Sequence, residues 1–120
     1  MNELSIWGHF VSAMKDKFAT FSGRASRKEY WSFVLFSIIF AIVAALLDVA
    51  FETNEIISNL VSVIFIVPSI SVTVRRLHDV NKSGWWYFIY LVPLFGALYI
   101  LYLTLKKTQP EDNEYGPSLV

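Results

Sequence analysis

The chain has 120 residues, 55% of them hydrophobic and 17% aromatic, with 17% charged and ten cations balanced by ten carboxylates. That charged share lies well below the roughly 25% of an average soluble domain, and the apolar residues are gathered into long runs with the charges between them, which argues against a water-soluble fold. The absence of cysteine excludes disulfides, thiolate catalysis and thiolate metal sites, and a net charge of zero leaves partners to be read from where the charges lie.

Residues 3–21 carry Leu4, Trp7, Val11, Met14, Phe18 and Phe21 at helical spacing, while Glu3, Ser12, Lys15 and Asp16 fall on other faces. The pattern predicts an amphipathic helix that either lies in a membrane interface or packs on the rest of the protein. With two acids in this stretch and a first long apolar run starting only near Tyr30, the N-terminus is unlike a cleaved signal peptide.

The first predicted span occupies 30–51, with its apolar centre from Trp31 to Leu47 and Asp48 near its end. That centre covers roughly 26 Å, slightly short of a hydrocarbon core, and Tyr30 and Phe51 extend it into the interfaces. Ser26 and Glu29 are spaced as a capping box, with Ser22 as an alternative cap. The second span, 56–74, contains Asn59, several serines and Pro68. Such residues are tolerated where neighbouring helices satisfy the freed backbone, so this helix is expected to be the inner one, kinked near Pro68. The third run, 85–105, is the most aromatic and has Pro93 and Gly96 in its middle. It is read as a third transmembrane helix with a kink, and a re-entrant turn is the alternative. Residues 106–120 form a polar tail in which Asn113, Tyr115, Gly116 and Pro117 look like a turn.

The whole of 1–120 therefore reads as one membrane domain of the all-α class: three transmembrane helices preceded by an amphipathic N-terminal helix. Lys15, Lys17, Arg24, Arg27 and Lys28 precede the first span, the 48–55 connection has three carboxylates and no cation, and the next connection carries Arg75, Arg76 and Lys82. By the positive-inside rule the N-terminus is cytoplasmic. Three full spans then put the tail outside with Lys106 and Lys107, against the rule; a third run that turned back would place every basic residue inside.

Two clusters stand out. Gly23-Arg24-Ala25-Ser26-Arg27-Lys28-Glu29-Tyr30-Trp31 places Arg24, Arg27, Lys28 and Trp31 at helical spacing, and Arg75-Arg76-Leu77-His78-Asp79 leads through Asn81 and Ser83 to Trp85-Trp86. Arg75 and Asp79 are four apart, so an ion pair is available on a helix. Asn81 suits a left-handed turn and Ser83 the cap of the third run. The GR-x-x-R-x-x-YW segment, the RRLHD-x-x-x-SGWW segment and the N-x-YGP tail together resemble domain-of-unknown-function family 805, small bacterial inner-membrane proteins, from about Phe21 to Pro117. Asn81 replaces the family's usual glycine, and Glu111 stands where a glycine is usual before Asn113. The resemblance implies a bacterial inner-membrane location and carries no known activity or catalytic residues.

Two readings of the clusters remain. In one, the cations and the aromatics Tyr30, Trp31, Trp85 and Trp86 simply orient and anchor the chain at the headgroups. In the other, Arg24, Arg27, Arg75, Arg76, His78 and Asp79 form a cytoplasmic site for an anionic lipid headgroup or an acidic partner segment, because the arginine fork binds phosphate and carboxylate bidentately. A protein partner or homo-oligomer is compatible with either, and nucleic acid is disfavoured because the basic clusters are short. A pore, resting on Asn59, Pro68, Pro93, Asp48 and Glu52, would need an oligomer. Catalysis has little support: His78-Asp79 is the one histidine–acid neighbourhood, there is no phosphate loop, and His9 with His78 is too few for a metal cluster. No cofactor is implied.

Overall fold

The computed structural model describes residues 5–92, 94–117 and 119. Among them the regular elements are all helices: α1 (Ile6–Met14), α2 (Arg27–Phe51), α3 (Ile56–Asp79), a 3₁₀ helix (Gly84–Leu91) and α4 (Phe95–Leu105). α3 is the central element and touches each of the other four.

α1 starts at Ser5, whose hydroxyl accepts from Gly8 N at 3.0 Å. It ends at Met14, shorter than the predicted 3–21, and the part of that range before Ser5 lies outside the described residues. The physical reason is tertiary. Ser71 on α3 donates to the carbonyls of Lys17 and Thr20, and Arg75 Nε donates to Thr20 O, so these carbonyls are claimed from outside and the chain leaves the helix. Phe10 and Ala13 face inward with Phe33 and Val72, whereas Ile6, Trp7 and Val11 are exposed.

α2 and α3 have 25 and 24 residues, each long and apolar enough to cross a membrane. At 1.5 Å per residue they measure about 36 Å, more than the roughly 30 Å hydrocarbon thickness. Ser26 caps α2 by accepting from Glu29 N, while the Glu29 carboxylate turns to Arg75 instead of closing a reciprocal box. The α2–α3 turn holds Glu52, Asn54 and Glu55 at positive φ. Glu55 offers α3 no side-chain cap, and Asp48 does so from the neighbouring helix, accepting from Ile57 N and Ser58 N at 2.9 Å each and from the hydroxyls of Thr53 and Ser58. A carboxylate there also meets the positive end of the helix dipole. Pro68 lies buried inside α3.

The third run departs from the predicted single helix over 85–105. Its first arm winds as 3₁₀ from Gly84 to Leu91, the backbone breaks at Leu94 with φ 66°, and α4 follows. Pro93 falls outside the described residues. The two arms cross closely enough that a Cβ on Gly96 would sit 1.8 Å from Ile89 O, and Trp86 and Tyr99 pack ring on ring at 5.6 Å. Both ends of the run meet the same end of α3. Gly84 abuts Val74, where a Cβ would stand 2.8 Å from Cγ1, and the carbonyls of Thr104 and Lys106 accept from Arg76. At about 2.0 Å and 1.5 Å rise respectively, each arm is roughly 16 Å long, half of what a span requires.

Candidate functional site

The last two turns of α3 carry Arg75, Arg76, Leu77, His78 and Asp79, all buried although three are ionisable side chains of opposite sign and one is histidine. Successive helix residues diverge by about 100°, so these side chains reach different neighbours. Loop 20–26, the start of α2, the end of α4 and the tail wrap this end of α3 and supply those neighbours.

Asp79 lies between two guanidinium groups. Its Oδ1 accepts from Arg24 Nε at 2.9 Å and its Oδ2 from Arg76 Nη1 at 2.5 Å, with the side chains of all three at most 1% exposed. The partner of Asp79 on its own helix is thus Arg76, three residues back, instead of Arg75. Arg24 is positioned by the turn before α2, where Gly23 has φ 88° and Ala25 N bonds Arg75 O at 2.9 Å. Its remaining donors reach the carbonyls of Gln109 at 2.7 Å, Glu111 at 3.0 Å and Gly116 at 3.1 Å, so one side chain ties the tail to α3. Arg76 likewise bonds the carbonyls of Thr104 and Lys106 and, at 3.4 Å, Ala25.

Arg75 points the other way, to Glu29 and to Thr20 O, and its Nη2 is buried without a partner among the described residues. Lys17 Nζ approaches the same Glu29 oxygen at 3.8 Å. His78 Nδ1–H donates to Gly23 O at 2.9 Å, and its ring stacks on Tyr115 at 4.0 Å with a 4° interplanar angle. Asn113 closes the tail turn with Gly116 and donates to His78 O at 3.0 Å. Arg27 alone of the six candidate residues is exposed, with Nη1 on Leu105 O at 3.3 Å.

Five of the six residues therefore come together, and their polar groups are largely engaged by this chain. Buried charges of this kind are stable only when paired and hydrogen-bonded, which these carbonyls and carboxylates accomplish. What the arrangement does chemically is fasten the loop, α4 and the tail to α3. Around it lies an exposed rim of Arg27, Lys28, Lys106 and Lys107, with half-buried Lys82 5.6 Å over Trp86 and Lys106 5.8 Å over Tyr102. Trp31 Nε1 donates to Thr104 O at 3.2 Å, Tyr30 packs edge-on to Trp31, and Trp85 is 77% exposed. Among the described residues no group of three or more His, Asp or Glu is placed to hold a metal ion. Glu29 as the partner of Arg75 and the tail carbonyls as partners of Arg24 were not visible in spacing, since both contacts are between distant segments.

Two comparisons bear on identity. The family model described as "Protein of unknown function (DUF805)" matches residues 18–117, and the chain belongs to that family. It is 36% identical to "Inner membrane protein YhaH" of Escherichia coli K12 over 113 residues, covering 90% of this chain and 93% of the relative. It is 33% identical to "Inner membrane protein YhaI" of the same strain over 111 residues, covering 89% and 91%. No solved structure matches.

Proposed function

We propose that this DUF805 protein is an inner-membrane protein that binds anionic phospholipid headgroups of the cytoplasmic leaflet, in a binding or accessory role without catalysis. In this reading α2 and α3 cross the bilayer, the third run re-enters the cytoplasmic leaflet, and both termini face the cytoplasm.

The observation that carries the reading is the return of the third run to Arg76. It brings Lys106 and Lys107 to the end of the molecule that holds the other eight lysines and arginines, five in the 15–28 segment, Arg75 and Arg76 at the close of α3 and Lys82 in the loop that follows. The opposite end has Asp48, Glu52 and Glu55 and no cation. Such a distribution is what the positive-inside rule selects, and Lys106 and Lys107 no longer oppose it. Location in the inner membrane is supported by the names of the two relatives.

Of the two sources of positive charge, the rim fits a headgroup better than the buried arginines do. An anion at Arg24 or Arg76 would have to displace backbone carbonyls already at hydrogen-bond distance. Arg27, Lys106 and Lys107 are open, and they adjoin Trp31 and Tyr102, side chains suited to the headgroup level. Native mass spectrometry of the full chain from mild detergent tests this. Retained phosphatidylglycerol or cardiolipin is expected on the wild type and is expected to be lost in an Arg27→Gln/Lys106→Gln/Lys107→Gln variant of equal thermal stability. A wild type without lipid, or a variant that keeps the same lipid, overturns the headgroup reading.

A further inference from the structure

The apolar surface of the protein is distributed unequally along α2 and α3. Toward the acidic end the two helices stand alone, with Leu46 64%, Val49 79% and Val63 64% exposed. Toward the basic end three more helices are added. α1 sets Phe10 against Phe33, Phe36, Phe40 and Phe65, and Trp7 against Phe36, all within the basic half of the α2–α3 pair or at its middle. The hairpin of the 3₁₀ helix and α4 meets α3 at Val74, Leu77 and Val80.

These added elements keep apolar side chains on their outer faces. Trp7 on α1 is 53% exposed, and on the hairpin Phe88 is 55%, Leu91 80% and Phe95 73% exposed. An apolar patch of this extent is not left in water. It adds to the exposed apolar side chains of α2 and α3, such as Leu35, Ile38 and Ile66, and Lys82 and Lys106 lie over Trp86 and Tyr102, the order of an interface followed by acyl chains. The occupant that fits is the acyl region of the leaflet at the basic end.

We infer that the protein is a one-leaflet wedge. Five helical rods displace lipid on the basic side and two on the other, an excess of roughly 300 Å² at about 100 Å² per rod. A body wider in one leaflet is accommodated best where that leaflet is convex, so the chain concentrates in membrane curved away from its basic face. The inference rests on the re-entrant reading of the third run.

The test uses the full chain with a dye on Asn54→Cys, reconstituted into phosphatidylglycerol–phosphatidylethanolamine vesicles of small and large diameter. Protein per membrane area is expected to be roughly two- to threefold higher on the small vesicles, with the basic face outward, as for other curvature-sensitive insertions. A Trp85→Ser/Phe88→Ser/Leu91→Ser variant and an Ile6→Ser/Trp7→Ser variant, each shown by circular dichroism to keep the wild-type helicity, are expected to lose much of that preference. Single cysteines at Ser22 and Lys107 report topology in the same vesicles. Labelling of both from one side with equal density at all diameters overturns the wedge and leaves the re-entrant reading standing; labelling from opposite sides overturns the re-entrant reading itself. Efficient cross-linking between copies through Phe88→Cys would assign the hairpin face to self-association and overturn leaflet insertion.

Discussion

Asp79 holds two arginines with one carboxylate, and the side chains of all three are buried. Removing the charge leaves both guanidinium groups buried and underpaired, a loss that typically costs about 3–5 kcal/mol. Asp79→Asn also aims an amide N–H at a donor. Denaturant or thermal unfolding in detergent is expected to show a loss of that size, while Arg27→Gln, at the exposed rim, is expected to stay within about 0.5 kcal/mol of wild type. The i,i+4 spacing of Arg75 and Asp79 made that pair available, yet the pair formed is Arg76–Asp79 because Glu29 draws Arg75 to the other side of α3. Spacing identifies which residues can meet, and competition among partners from other segments decides which do.

At the scale of the element, α1 shows how a local pattern is trimmed by its surroundings. A helix here was legible, but the residues it buries are His9, Phe10 and Ala13, while Trp7 and Val11 of the predicted stripe are exposed, and its end at Met14 reflects hydrogen bonds from Ser71 and Arg75 to the chain that follows. His9 is buried on its inner face and Nε2 has no partner among the described residues. Burial lowers its pKa below the ordinary 6.5, against a raising influence from Glu29 and alongside lowering ones from Lys28 and Lys17. The docked state thus favours neutral imidazole, so the undocked or unfolded chain takes up the proton first. The contribution of α1 docking is complete above about pH 6.5 and diminishes as the pH falls from there toward the lowered value. Hydrogen exchange across Ile6–Met14 is expected to quicken between pH 7.5 and pH 5.5 relative to the intrinsic rate. In a His9→Leu variant that pH dependence is expected to vanish; an unchanged dependence would assign it to another group.

For the whole molecule, the return of the third run decides the arrangement of the two ends. Because the chain contains no cysteine, single cysteines report sidedness without background. An impermeant maleimide added to intact bacterial cells, past the outer membrane, is expected to label Asn54→Cys and to reach Ser22→Cys and Lys107→Cys only after the inner membrane is opened. Labelling of Lys107→Cys in intact cells would restore three full spans. The same return brings the start of the tail to the end of α3. Arg24 holds the tail by its backbone and His78 by the Tyr115 ring, so its course depends on one residue more than 80 positions earlier and on another at the end of α3, as well as on its own turn at Asn113.

Apolar run length and charge placement were sufficient, on the sequence alone, for the membrane class, the helices α2 and α3, the caps at Ser26 and Ser83 and the left-handed turn at Asn81. These are local properties: hydropathy over about 20 residues, a hydroxyl one turn from an amide, a side chain that tolerates positive φ. Five residues of the buried cluster, Arg24, Arg75, Arg76, His78 and Asp79, were also legible, since charged and polar side chains at two span ends are conspicuous in so apolar a chain, whereas Glu29 was missed and Arg27 stays at the exposed rim. Their pairing was not, because it joins Arg24 to Asp79 and Arg75 to Glu29 across 55 and 46 positions. The turn of the third run was legible only as the alternative to a continuous third span. Hydropathy measures how much apolar chain is present, and only the close crossing at Gly96 and the carbonyls offered to Arg76 decide whether that chain continues or comes back.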